Sequence, residues 1–209
     1  SGIETEHISR MLSLGLLGRR RRLVPTRWSI TAADDMIGRH LKEAILEMPL
    51  LDCPQLFSWE ELGNHFEILL LPGSFSFELI EIWMPRSLWA EEGFIGADRE
   101  DTMERRRYSP LAGGYYAARL AALEHLAGAG RQASVLALRE ISEAYWAPLG
   151  VWVVREVARK ALCSPPARPE GLKEAVEEIG RRIRTPVARW LHLSETLAGP
   201  RQKRLADFL

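Results

Sequence analysis

Cysteine is scarce in this chain of 209 residues: Cys53 and Cys163 lie far apart and outside any Cys-x-x-Cys spacing. That excludes a disulfide-built secreted fold and argues against a zinc site within the chain. The five histidines (His7, His40, His65, His125, His192) are scattered and form no His-x-x-x-His pair, so no metal ligand set is expected. Net charge is also lacking, with 28 basic and 28 acidic residues. No global field draws the molecule onto nucleic acid or anionic lipid, and local clusters must supply any such attraction. There is no apolar run of membrane-spanning length and no signal-peptide pattern. A cytoplasmic, reducing setting without membrane contact is the expectation. The chain starts Ser-Gly rather than Met, as a fragment of a longer protein would.

What is present is an ordinary globular balance, 46% hydrophobic and 27% charged, over a length that buries a full core. Ile8, Leu12 and Leu16 at helical spacing predict an amphipathic helix over 3–17. Thr31 reads as the N-cap of a helix to about Glu47, with Asp34 and Asp35 early in it. His65–Leu71 and Phe75–Met84, separated by Pro72-Gly73-Ser74, predict an antiparallel hairpin. Residues 90–110 are polar. Gly113 opens a helix to about Ala127, Gln132–Ile141 reads as a buried strand, and helices follow from Pro148, Pro169 and Pro186. The expected fold class is α+β, mostly helical with a small antiparallel sheet.

The candidate chemistry sits in two basic runs. Arg19-Arg20-Arg21-Arg22, followed by Arg27 and Trp28, offers phosphate contacts and a stacking ring; Arg105-Arg106-Arg107-Tyr108 repeats the pairing. The bland alternative is two solvated loops balancing nearby acids. Asp34 and Asp35 are neighbours on a helix, so they diverge by about 100° and cannot share a metal from that helix alone. A capping role is the simplest one for them, and a pairing with Arg27 or a metal the sharper one. Gly113-Gly114 at a helix start can receive an anion or merely allow close packing. Arg139-Glu140 and Arg155-Glu156 are internal pairs or site residues. No motif names a reaction, and no cofactor is indicated.

The last residues carry the sharpest pattern. Gln202, Leu205, Phe208 and Leu209 have the spacing Gln-x-x-aliphatic-x-x-aromatic-hydrophobic, which resembles the peptide that docks on the replication sliding clamp, PCNA. On a turn of about three residues, Leu205 and Phe208 share a side with Leu209 beside them. Burying such a plug contributes roughly 1.5–3 kcal/mol per large side chain before ordering costs. The motif usually ends in two aromatics, and Leu209 in the second place weakens the plug. The competing expectation is a last helical turn folded onto the body, against which Gly199-Pro200 and the surrounding charges argue.

Residues 22–35, from Arg22-Leu23-Val24-Pro25-Thr26-Arg27-Trp28 to Asp34-Asp35, resemble the signature of the archaeal Nre DNA repair proteins. Gly113–Leu120, Arg131–Val135 and Pro148–Glu156 resemble that family's C-terminal domain. The resemblance implies a role in DNA damage repair coupled to the clamp, with DNA and PCNA as partners, and supplies no catalytic mechanism. It implies a division into 1–100, the end of the family's N-terminal region; 101–198, its C-terminal domain; and 199–209, a flexible clamp-binding tail. It also implies a longer parent protein whose preceding, zinc-finger-like part lies outside this chain. Two further functional readings stay open. One is an enzyme acting on a nucleotide or nucleic acid, with a pocket from Arg27, Ser29, Asp34, Asp35, Tyr116, Arg139 and Glu140. The other is an adaptor recruited by its tail alone.

Overall fold

The computed structural model describes residues 4–17, 22–87, 90–103 and 105–198. Two helices come first, α1 (Thr5–Ser13) and α2 (Thr26–Ile45), and then strands β1 (Gln55–Glu61), β2 (Asn64–Leu71), β3 (Ser76–Trp83) and β4 (Phe94–Glu100). Helix α3 (Ala112–Ala129) leads into β5 (Ser134–Ile141), which α4 (Val151–Cys163) and α5 (Leu172–Arg182) follow. Two 3-10 turns, Val187–Arg189 and Leu191–Leu193, end the described chain.

The five strands make one mixed sheet in the order β1-β2-β5-β3-β4. Strand β5 lies at its centre, antiparallel to β2 and parallel to β3. Leu62 and Gly63 join β1 to β2 with φ of 51° and 70°, the left-handed pair that a two-residue type I′ turn requires. A side chain on Gly63 would also press into the Tyr145 backbone.

Both faces of the sheet are covered, so β2, β3 and β5 are nearly continuous apolar runs. On one face Phe66, Ile68, Phe77, Leu79, Val135 and Ala137 meet α3 and α4, with α2 and α1 stacked beyond. Helix α3 lies between the sheet and the other helices, which is why its sequence is apolar on all sides. On the other face Leu69, Ile80, Leu136 and Leu138 pack against Ala175, Ile179, Ile183 and the fully buried Trp190. Buried acids strap this second layer down. Glu78 accepts hydrogen bonds from the Ser194 hydroxyl (2.7 Å) and the amides of Glu195 (2.7 Å) and Thr196 (3.0 Å). Glu140 accepts from the amides of Arg184 (2.9 Å) and Thr185 (2.8 Å).

This architecture corrects the sequence expectation on several counts. The sheet is neither small nor antiparallel: it has five strands and a parallel pair, and with 41% helix and 23% strand among the described residues the protein is not mostly helical. The expected hairpin between 65–71 and 75–84 does not form, because β5 inserts between those two strands. Helix α2 starts at Thr26, after Pro25, so Thr31 caps nothing and Asp34 and Asp35 sit in mid-helix. The polar stretch 90–110 contains β4, and the helix expected from Pro186 is two 3-10 turns. The first helix is shorter than its apolar pattern, ending at Ser13.

Candidate nucleic-acid interface

The first turn of α2 presents Arg27 and Trp28 outward, the guanidinium 5.9 Å from the indole centroid and Trp28 60% exposed. One turn on, the Thr31 hydroxyl donates to the Arg27 carbonyl (3.1 Å) and lies beside Tyr108. That proximity brings the Arg27-Trp28 turn and the segment ending in Tyr108, distant in sequence, to one side of the molecule. Tyr108 is 63% exposed and its ring lies 5.2 Å from that of Tyr116. Arg22, Arg106 and Arg107 are exposed as well, and among the described residues none of them, nor Arg27, has a carboxylate partner. Arg27 and Trp28 thus stand near Tyr108, and with Arg22, Arg106 and Arg107 close to them in sequence they give an exposed strip of cations and rings, the kind that grips a nucleic-acid backbone and stacks on its bases. Arg19, Arg20 and Arg21 lie outside the described residues, as do Gln202, Leu205, Phe208 and Leu209.

Arg105 does not belong to that strip. It turns inward, pairs with Asp98 and lies over the Tyr115 ring at 4.5 Å. The other sequence-predicted residues fall in separate places rather than in one pocket. Ser29 is buried and hydrogen-bonded to Ser13 (2.5 Å). Asp34 is fully buried against Arg155, which also holds Glu6 at 2.8 Å and so ties α1, α2 and α4 together. Burial pushes the Asp34 carboxyl up to about 6, against the pull of Arg155, and its Oδ2 has no partner among the described residues. Asp35 points elsewhere and binds Arg119 (2.6 Å), which reaches on to Glu100 (2.9 Å). Gly38 leaves room for that crossing, since a Cβ there would meet the Arg119 guanidinium at 3.0 Å. Tyr116 supports the strip from below, its hydroxyl accepting from the Ser109 amide (3.1 Å).

Arg139 and Glu140 point to opposite faces of the sheet. Glu140 serves the strap described above, whereas Arg139 sits on the α3 side. There it donates to Glu81 (2.6 Å) on β3 and to Asn64 (2.9 and 2.5 Å) on β2, with its guanidinium 5.6 Å from the Trp83 ring. This buried trio spans three adjacent strands, and its Glu81 and Arg139 line a hollow of about 240 Å³. Gly114 abuts it so closely that a Cβ would come 2.8 Å from Glu81. Close packing therefore accounts for that glycine without an anion. Sequence reasoning missed Glu81, Asn64, Arg119 and Glu100. The available signal was a charge at an in-facing place, as in Phe77, Leu79, Glu81, Trp83.

Two larger hollows have other walls. One of about 630 Å³ between β4 and the C-terminal strap is edged by Asp98, Arg99, Asp101 and Glu195, and one of about 370 Å³ between α1, α2 and α4 by Ser9, Arg10, Trp152 and Arg155. Among the described residues, no group of three or more His, Cys, Asp or Glu side chains could hold a metal ion. Among them, too, no helix is long and apolar enough to cross a membrane.

Fold and surface together define a two-faced mixed-sheet α+β protein with an exposed cation–aromatic strip. The chain belongs to the archaeal Nre family: residues 1–90 match "Archaeal Nre, N-terminal" and residues 100–208 "Archaeal Nre, C-terminal". Its relatives include "DNA repair protein NreA" of Archaeoglobus fulgidus, 48% identical over 87% of this chain and 47% of the relative. NreA of Haloferax volcanii is 40% identical over 99% of the chain and 51% of the relative. "DNA repair protein NreB" of A. fulgidus is 35% identical over 100% of the chain and 54% of the relative. The chain thus spans about half the length of these curated relatives. No solved structure matches it.

Proposed function

We propose that this chain serves DNA repair, holding DNA or a repair intermediate on the strip of Arg22, Arg27, Trp28, Arg106, Arg107 and Tyr108 and recruited to the sliding clamp by Gln202, Leu205, Phe208 and Leu209. The observation that supports the DNA reading is the proximity of the Arg27-Trp28 turn to Tyr108 beside Thr31. The repair context is supported by the relatives' names. The clamp reading is supported by the spacing of the tail.

Calorimetric titration into the sliding clamp of the same organism tests the tail. Micromolar binding is expected, and Leu205→Ala/Phe208→Ala should abolish it; absence of wild-type binding overturns recruitment. The strip has its own test in DNA titrations at several salt concentrations. Four phosphate-contacting arginines give a log K against log [salt] slope of about −3 to −4, and Arg106→Ala/Arg107→Ala lowers its magnitude by about 2. A slope unchanged in that variant removes these residues from the interface.

A further inference from the structure

We infer that the hollow at Glu81 and Arg139 receives a single unpaired nucleobase from the DNA held on the neighbouring strip, an inference that rests on the DNA-binding reading above. The hollow lies at the C-terminal ends of the parallel strands β3 and β5, where open sheets hold their ligands. Its walls include Trp83, Gly114, Tyr145 and Val151, and its volume of about 240 Å³ falls below the roughly 300–1,000 Å³ of sites for larger ligands. One ring system suits it better than a whole nucleotide.

The chemistry of its floor favours a neutral planar ligand over an anion. Arg139 is already neutralised by Glu81, and an incoming phosphate would meet that carboxylate. The pair nonetheless keeps hydrogen-bonding capacity. Three of the five guanidinium N–H groups are spent on Asn64 and Glu81, and among the described residues Oε2 of Glu81 accepts no hydrogen bond. Both residues are more than nine-tenths buried. An acceptor beside a donor complements the edge of a nucleobase, which presents donors and acceptors side by side. Trp83 and Tyr145 add aromatic surface for its faces.

The path from the strip is short. Gly113 lines the hollow, and a Cβ on it would come 2.9 Å from the Thr31 hydroxyl that lies between Arg27 and Tyr108. A strand gripped at Arg27 passes beside Thr31 and so beside the slot, and an unpaired base costs least to turn out of the stack.

The test compares three labelled duplexes at one salt concentration by fluorescence anisotropy with the 209-residue chain: fully paired, carrying a one-base bulge, and carrying the same bulge as an abasic site. The bulged base should bind at least tenfold tighter than both others, the abasic control separating base capture from recognition of a kink. Val151→Phe, which fills the slot, and Glu81→Leu/Arg139→Met, which removes its polar floor, should each erase that preference and leave paired-duplex affinity unchanged. Melting curves identify a variant that has lost its fold, and the other then decides. Equal wild-type affinity for the three duplexes, or a preference that survives the folded variants, overturns the slot while leaving the strip intact. Absence of binding to every duplex at low salt overturns both.

Discussion

Asp34 shows what burial does to a single side chain here. Its carboxyl holds a proton up to about 6 in the folded protein and only up to about 4 when unfolded. Between those values the folded state binds more protons, so this group's contribution to stability falls as pH rises through that window. Relative to Asp34→Asn, the wild type should therefore lose roughly 2 kcal/mol of urea-measured stability between about pH 4.5 and 7.5; a constant difference would show that Arg155 keeps the acid ionised throughout. Residues of this kind were only partly legible. The sequence marked Asp34, Asp35, Arg139 and Arg155 as notable, but their partners lie on other elements: Arg155 is 121 residues from Asp34, and Arg119 is 84 from Asp35. Helical geometry did establish that the two aspartates diverge, and they do.

Among the elements, the helices whose apolar character is strong, such as α3, and the buried strand β5 match their sequence signals to within a few residues. The strands that escaped notice are the two at the sheet's edges. β1 carries Trp59-Glu60-Glu61 and β4 carries Asp98-Arg99-Glu100, charges that read as loop yet suit an edge. The C-terminal strap was misread for a related reason. Residues 183–198 are held by the acids Glu140 and Glu78 rather than by a helical stripe. Glu78→Ala should consequently free the strap locally, at a cost of roughly 2–4 kcal/mol for the hydrogen bonds lost to a charged acceptor. Hydrogen exchange at the Glu195 and Thr196 amides reads this out directly: their protection should collapse while that of β5 persists. Retained protection would mean that the packing of Trp190 alone holds the segment.

For the molecule as a whole, the decisive fact is that the segments matching the two family descriptions share one sheet. Strand β5, from the second, separates β2 and β3, from the first. Pieces 1–100 and 101–209, produced separately, should show no cooperative thermal transition, and mixing them should restore one. A sharp transition in either piece alone would make it an independent folding unit. Nothing local in the sequence could reveal this arrangement, because the pairing of β3 with β5 joins residues 58 apart, as at Ser76 and Ser134. The same topology has a consequence on the ribosome. Once β3 has emerged, about fifty more residues must be made before β5 can enter its slot, several seconds at roughly 5–20 residues per second. Through that interval the facing edges of β2 and β3, flanked by Phe66, Ile68, Phe77 and Leu79, stay open templates for any passing strand. The nascent chain is thus at its stickiest in mid-synthesis, and the closing of the sheet is its release from that hazard.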